Sequence, residues 1–272
     1  MLKLFIGATS AVFDWLLAPF GLDLWVWNLI FWPVIGGVIA LLVYKKVSNQ
    51  KGIERAKNGI YTHLMEVVLY QEDVVGVVVS TAKAMVYNAL YLGHNILPMI
   101  VMLLPMATVM TQLVANHAYA PLAADQPILL DVQLAEGASV KATDVKLTLP
   151  DGVKLDAPPA RSTDGHVVWR LVPSAGDWTL SLDAGGVTET KGLAVGGGDR
   201  KVPIMRTSTW EAFLYPGEPA LSSDSPFETI KVKYPERELP WLPDGEGGIL
   251  IWFFGLSLGA GFALKDYFGV TL

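Results

Sequence analysis

The 272-residue chain is 52% hydrophobic and 17% charged, with a mean hydropathy of +0.40 and a formal net charge of −6. Soluble domains hold about 25% charged residues, so the deficit points to membrane segments. The acidic balance, with no basic tract and no zinc-finger spacing, excludes a nucleic-acid binder. Cysteine is absent, which removes disulfides, thiolate nucleophiles, iron–sulfur clusters and Cys-based zinc sites.

Residues 1–23 open the chain. MLKLFIGATSA has one lysine and a short apolar run, but no apolar core of signal-peptide length before a cleavage site, so it is read as retained. SAVFDWLLAPFGL, residues 10–22, predicts an interfacial helix with Phe13, Trp15 and Phe20 at headgroup level. A first span follows over 24–44; its 21 residues cover roughly 31 Å, the thickness of a hydrocarbon core. Its polar residue is Asn28.

Residues 45–95 form the next segment. Lys45, Lys46, Lys51, Arg55 and Lys57 stand against Glu54 alone, a local charge of +4 that marks this side as cytoplasmic. Ile53, Ile60, Leu64 and Val67 make one apolar helical stripe; Gln71-Glu72-Asp73 interrupts it, and Val74 to Leu92 carries a second, with Lys83 its one charge. Two amphipathic helices are predicted, forming a hairpin or lying along the membrane surface, a merely solvated connector being the plainer alternative.

The second span, 96–115, is introduced by Gly93-His94-Asn95 and carries two prolines. Positions seven apart nearly eclipse on a helix, so Pro98, Pro105 and Gln112 share a stripe, with His94 and Thr108 within about 80° of it. A helix proline removes a backbone hydrogen bond and leaves a carbonyl that lipid does not satisfy. This face is therefore expected to meet protein or a wet cavity, and both readings stand at this level.

From 116 to 246 the period changes to two. ILLDVQL (128–134), DVKLTL (144–149), HVVWRLV (166–172), WTLSL (178–182) and ETIKVKY (228–234) alternate apolar and polar residues, separated by turn signals at 150–152, 164–165, 174–176 and 185–186. An immunoglobulin-like β-sandwich ectodomain is predicted, with Trp169 and Trp178 in its core. Residues 116–248 carry a net charge of −7, acidic outside against basic inside. Gly196-Gly197-Gly198-Asp199-Arg200 lacks the Gly-Lys-Ser/Thr of a phosphate loop and reads as a turn. His166 is expected to face solvent or a neighbouring strand. The four histidines are scattered, no nucleophile stands beside a base, and three spans without an acidic residue argue against a coupled-ion transporter. No enzyme, metal site or cofactor is expected.

Pro240-Trp241-Leu242-Pro243 predicts a rigid interfacial collar before a third span within 247–268. The apolar run 249–264 covers only about 24 Å and recruits Phe268 and its neighbours. Gly255 and Gly259 are spaced as a helix-packing motif. The fold class is thus an α-helical membrane protein with three transmembrane helices, a cytoplasmic hairpin and an inserted β-sandwich.

This layout resembles the three-helix core of the YidC/Oxa-type membrane insertase superfamily. Asn95-Ile96-Leu97-Pro98-Met99-Ile100 and Trp252-Phe253-Phe254-Gly255-Leu256 are similar to phrases of the core insertase-like subunit of the ER membrane protein complex and its archaeal relatives. Bacterial insertases carry an arginine in the first span, where this chain has Asn28, and their large external domain precedes the core. Ser48-Asn49-Gln50 followed by Ile53-Glu54-Arg55-Ala56-Lys57 also resembles a group of bacterial membrane proteins, which implies an inner membrane with the N-terminus and β domain in the periplasm. The superfamily likeness implies a chaperone that binds hydrophobic client segments in a groove offering Asn28, His94, Asn95, Pro98, Pro105, Thr108 and Gln112, with the five basic residues at its cytoplasmic mouth. The alternative is an accessory subunit of a larger membrane complex that docks through its β-sandwich.

Overall fold

A computed structural model describes residues 2–17, 25–135, 142–198, 200–239 and 242–271. Phe20, Pro240, Trp241 and Asp199 lie outside the described residues, and with them the end of the predicted interfacial helix and half of the proline collar. Among the described residues five α-helices form: α1 (Leu2–Leu17), α2 (Trp25–Val47), α3 (Gln50–Leu69), α4 (Val74–His117) and α5 (Gly245–Leu264). Three of them, over Trp27–Val47, Val74–His117 and Gly245–Leu264, are long and apolar enough to cross a membrane. A separate domain of antiparallel sheet lies between α4 and α5 in the chain.

The stripe that was expected to start afresh at Val74 does not end before the second span. α4 runs unbroken for 44 residues through both Pro98 and Pro105. The hairpin's second helix and the second span are one rod of about 66 Å. Nothing in GHN breaks a helix, and each proline removes only one internal hydrogen bond.

The chain divides into two compact units, Met1–Leu29 with Met110–Trp252 and Ile30–Val109 with Phe253–Leu272. The first holds the strands β1 (Ile128–Leu134), β2 (Lys146–Thr148), β3 (Val153–Arg161), β4 (His166–Pro173), β5 (Gly176–Ala184), β6 (Val187–Val195), β7 (Met205–Thr207) and β8 (Phe227–Val232). They pair antiparallel in a sheet ordered β3-β4-β1-β8-β7 and a sheet ordered β2-β5-β6. Alternation decides the inner face. Ile128, Leu130, Val132 and Leu134 of β1 are buried, and they share one core with Val167, Trp169 and Leu171 of β4 and Leu180 and Leu182 of β5. Trp178 packs half-buried against that core and donates from its indole to the Ser174 carbonyl at 2.8 Å. His166 is exposed, its Nδ1 3.4 Å from Asp131 on the neighbouring strand β1.

Three strands, β3, β6 and β7, go beyond the predicted set, the first two for local reasons. β3 carries Pro158 and Pro159, which argue against a strand in the interior of a sheet; it lies at the sheet edge, where its register to β4 shifts twice. β6 contains Lys191 and Gly192 and lies at the edge of the smaller sheet. That edge is covered: Glu218 accepts from the Gly192 amide at 2.7 Å and pairs with Lys191, which also donates to the Pro203 carbonyl at 2.6 Å. Gly196 and Gly197 take positive φ, 62° and 80°, so the glycine run is a turn. α1 packs on this domain, with Ile6 buried against Ala212 and Ala220 and Asp14 3.2 Å from Lys201.

The second unit joins the rest of α2, α4 and α5 to the hairpin of α3 and α4. Gly37 brings α2 so close to α5 that an added Cβ would sit 2.4 Å from the Ser257 carbonyl oxygen. Ser257 Oγ donates to the Pro33 carbonyl at 2.9 Å. The small-residue contact is thus Gly37 on Ser257, whereas a Cβ added at Gly255 or Gly259 would meet no heavy atom within 4 Å. In the hairpin, Gly59 lies under the Tyr87 ring. Glu66 accepts from His63 Nδ1 at 2.7 Å and from Ser80 Oγ at 2.8 Å. These two bonds, His63 first, hold the Glu66 carboxyl below its ordinary range.

Candidate functional site

Within the second unit α2, α4 and α5 do not close on one another. They leave an open cavity of about 570 Å³, in the size range of ligand sites. Met99, Met102 and Met106 of α4 line one wall, Phe254 and Phe262 of α5 another, and Gly37 and Ala40 of α2 a third. The methionines recur at spacings of three and four, which keeps them on one side of α4. Thioether side chains have three rotatable bonds and repack around apolar shapes of different outline.

Two polar side chains reach the lining, Tyr44 and Ser257. Both are already engaged. Ser257 bonds Pro33, and the Tyr44 hydroxyl donates to Asn95 Oδ1, while Asn95 Nδ2 donates to the Tyr91 carbonyl at 2.7 Å. The wall therefore offers no vacant hydroxyl donor from these groups, and its surface is otherwise apolar. It holds no nucleophile and base in reach of each other. Among the described residues no group of three His, Asp or Glu side chains is placed to hold a metal.

None of the seven residues expected at a polar groove lines this cavity. Pro98 is buried and Pro105 half-buried, so the proline stripe of α4 is its least exposed side. Leu97 and Leu104 stand away from it at 60–61% exposure, which suits lipid contact, whereas Ile96 and Ile100 join the methionines in the cavity lining. Thr108 Oγ1 donates to the Leu104 carbonyl on its own helix at 2.8 Å. Asn28 and Gln112 belong to the other unit, both buried; Gln112 lies 3.4 Å from Lys201 Nζ. Proline spacing made that stripe legible. The methionine spacing that lines the cavity was equally present in the sequence, but the sequence does not tell a lipid-facing apolar side from one lining a void.

The five basic residues separate. Lys45 donates to the Phe268 carbonyl, Lys46 is exposed and Lys57 half-buried. Lys51 and Arg55 instead line a second cavity of about 460 Å³ with His94, Asn49 and Tyr87. Comparison of the chain with family models, curated proteins and solved structures finds no match in any of the three.

Proposed function

We propose that this protein is an insertase-like membrane chaperone that receives a hydrophobic client segment in the Met-lined cavity between α2, α4 and α5. The observation that carries the reading is the wall itself: apolar, open, built on residues of three spans, with its two hydroxyl donors engaged within the protein. No bond is made or broken. The cavity offers an incoming apolar helix a surface less demanding than lipid tails, and the flexible methionines tolerate clients of different sequence. The β domain, two antiparallel sheets about one core, reads as an immunoglobulin-like sandwich. The packing of α1 on that domain supports an N-terminus and β domain on one side of the membrane. The +4 segment supports a hairpin on the cytoplasmic side.

The accessory-subunit reading has its own support. Leu64, Met65, Val68 and Leu69 of α3 and Val74, Val75 and Val78 of α4 are 49–73% exposed near the hairpin turn, more apolar surface than solvent favours. One experiment separates the two. A photoreactive residue is placed at Met102 or, outside the lining, at Thr108, during translation of membrane-protein substrates. Client chains of different sequence captured from Met102 and not from Thr108 are expected. Capture of one invariant partner from both positions sinks the chaperone reading.

A further inference from the structure

The cavity formed by Lys51, Arg55 and His94 has a chemistry different from the greasy one and calls for a different occupant. Lys51 and Arg55 are four residues apart on α3 and so share a helix face. His94 comes to them from α4 across Gly52, where a Cβ would stand 2.7 Å from His94 Nε2 and 2.8 Å from Asn49 Nδ2. Gly52 thus lets the imidazole lie over the first turn of α3, and the Tyr87 ring adds a further wall. Asn49 Oδ1 accepts from the Gly52 amide at 3.0 Å, so the helix end is capped from within and the side chains carry the site.

No carboxylate lines this cavity. Among the described residues Lys51, Arg55 and His94 form no ion pair and no hydrogen bond. Two like charges one helical turn apart destabilise a helix unless an anion stands between them. A cation ligand is excluded by the same lining. Ala56 and Leu90, the latter half exposed, give the cavity an apolar flank. Its depth narrows the choice. His94 is two residues from the apolar run that begins at Ile96, and α2, with Lys45 and Lys46 in its last turn, ends at Val47 shortly before Lys51. In a membrane this is the level of the phosphates, where basic pockets between helices hold lipid headgroups.

We propose that the Lys51–Arg55–His94 cavity binds the phosphate of an anionic membrane lipid in the leaflet beside the basic segment. The guanidinium of Arg55 forks two phosphate oxygens, Lys51 supplies a point charge, the His94 ring a further donor, and the glycerol rests on Ala56 and Leu90. The site rests on the three apolar helices crossing a membrane and not on the chaperone reading, so either can fail alone.

The test uses the full chain in uncharged detergent, equilibrated with equal amounts of phosphatidylglycerol and phosphatidylcholine and read by native mass spectrometry. Retention of phosphatidylglycerol over phosphatidylcholine is expected, reduced about thirtyfold in Lys51→Gln/Arg55→Gln. Lys46→Gln/Lys83→Gln, which removes the same charge elsewhere, should change it less than threefold. The swap Lys51→Arg/Arg55→Lys should keep the lipid, which guards against misreading a misfolded variant. No preference between the lipids, or equal loss in both Gln variants, overturns the site. Inorganic phosphate that binds the lipid-free chain and displaces phosphatidylglycerol at equal concentration assigns the cavity to a soluble anion and overturns the lipid.

Discussion

Lys191 is fully buried in β6 and meets Glu218, whose side chain is 14% exposed. Burial pushes the ammonium down to about 8 from 10.5, and the charge of Glu218 opposes that fall. Between those two pH values the unfolded chain holds a proton there that the folded chain lacks, so the unfolding free energy rises with pH across the window. Denaturant unfolding followed by tryptophan fluorescence should show this rise in the native protein and not in Lys191→Met. The single changes Lys191→Met and Glu218→Gln each leave a buried group without its partner and should cost about 3–5 kcal/mol. The double variant should recover most of that loss; additive losses would mean that the two side chains do not act as a pair. Glu66, whose carboxyl is also lowered, gives the same sign in a more acid window. Its depressed carboxylate supports the hairpin above the ordinary carboxylate range, and that support fades as pH falls through the lowered value.

Among the elements, the contact of α2 with α5 depends on one missing side chain. Gly37→Ala places a methyl group 2.4 Å from a backbone oxygen, where no rotamer change relieves it. The helices must separate, at about 1–3 kcal/mol by the usual cost of overpacking. A lower unfolding midpoint in detergent is expected for Gly37→Ala, with Gly259→Ala unchanged because open space surrounds it. If both lose stability equally, the close approach at Gly37 is not the cause, since alanine is the better helix former at either site. The strands teach a related lesson. ILLDVQL, with its strict alternation, was legible to the residue, because one face alone is buried. β3 and β6 were not, because an edge strand tolerates proline and a lysine goes inside when another segment brings it a carboxylate.

For the whole molecule the absence of cysteine is a practical advantage, since any introduced thiol is unique. Gln71→Cys in the turn between α3 and α4 and Ser223→Cys in the β domain are both at exposed positions. An impermeant maleimide applied to sealed cells should label Ser223→Cys and leave Gln71→Cys until the membrane is opened. Labelling of both from one side contradicts the orientation drawn from the basic segment.

The sequence by itself determined that three helices are apolar enough to cross a membrane, that a separate β domain interrupts them, and that the prolines of α4 share a face. Each of these follows from composition and period, which are local properties of the chain. Only the tertiary structure decided that the methionine side of α4 lines a void and that His94 meets Lys51 and Arg55 across Gly52. Those facts depend on how closely helices approach, and that distance is set by single small residues, Gly37 meeting the Ser257 backbone and Gly52 the His94 ring. An apolar stripe reads the same in sequence whether lipid, a neighbouring helix or a cavity stands opposite it.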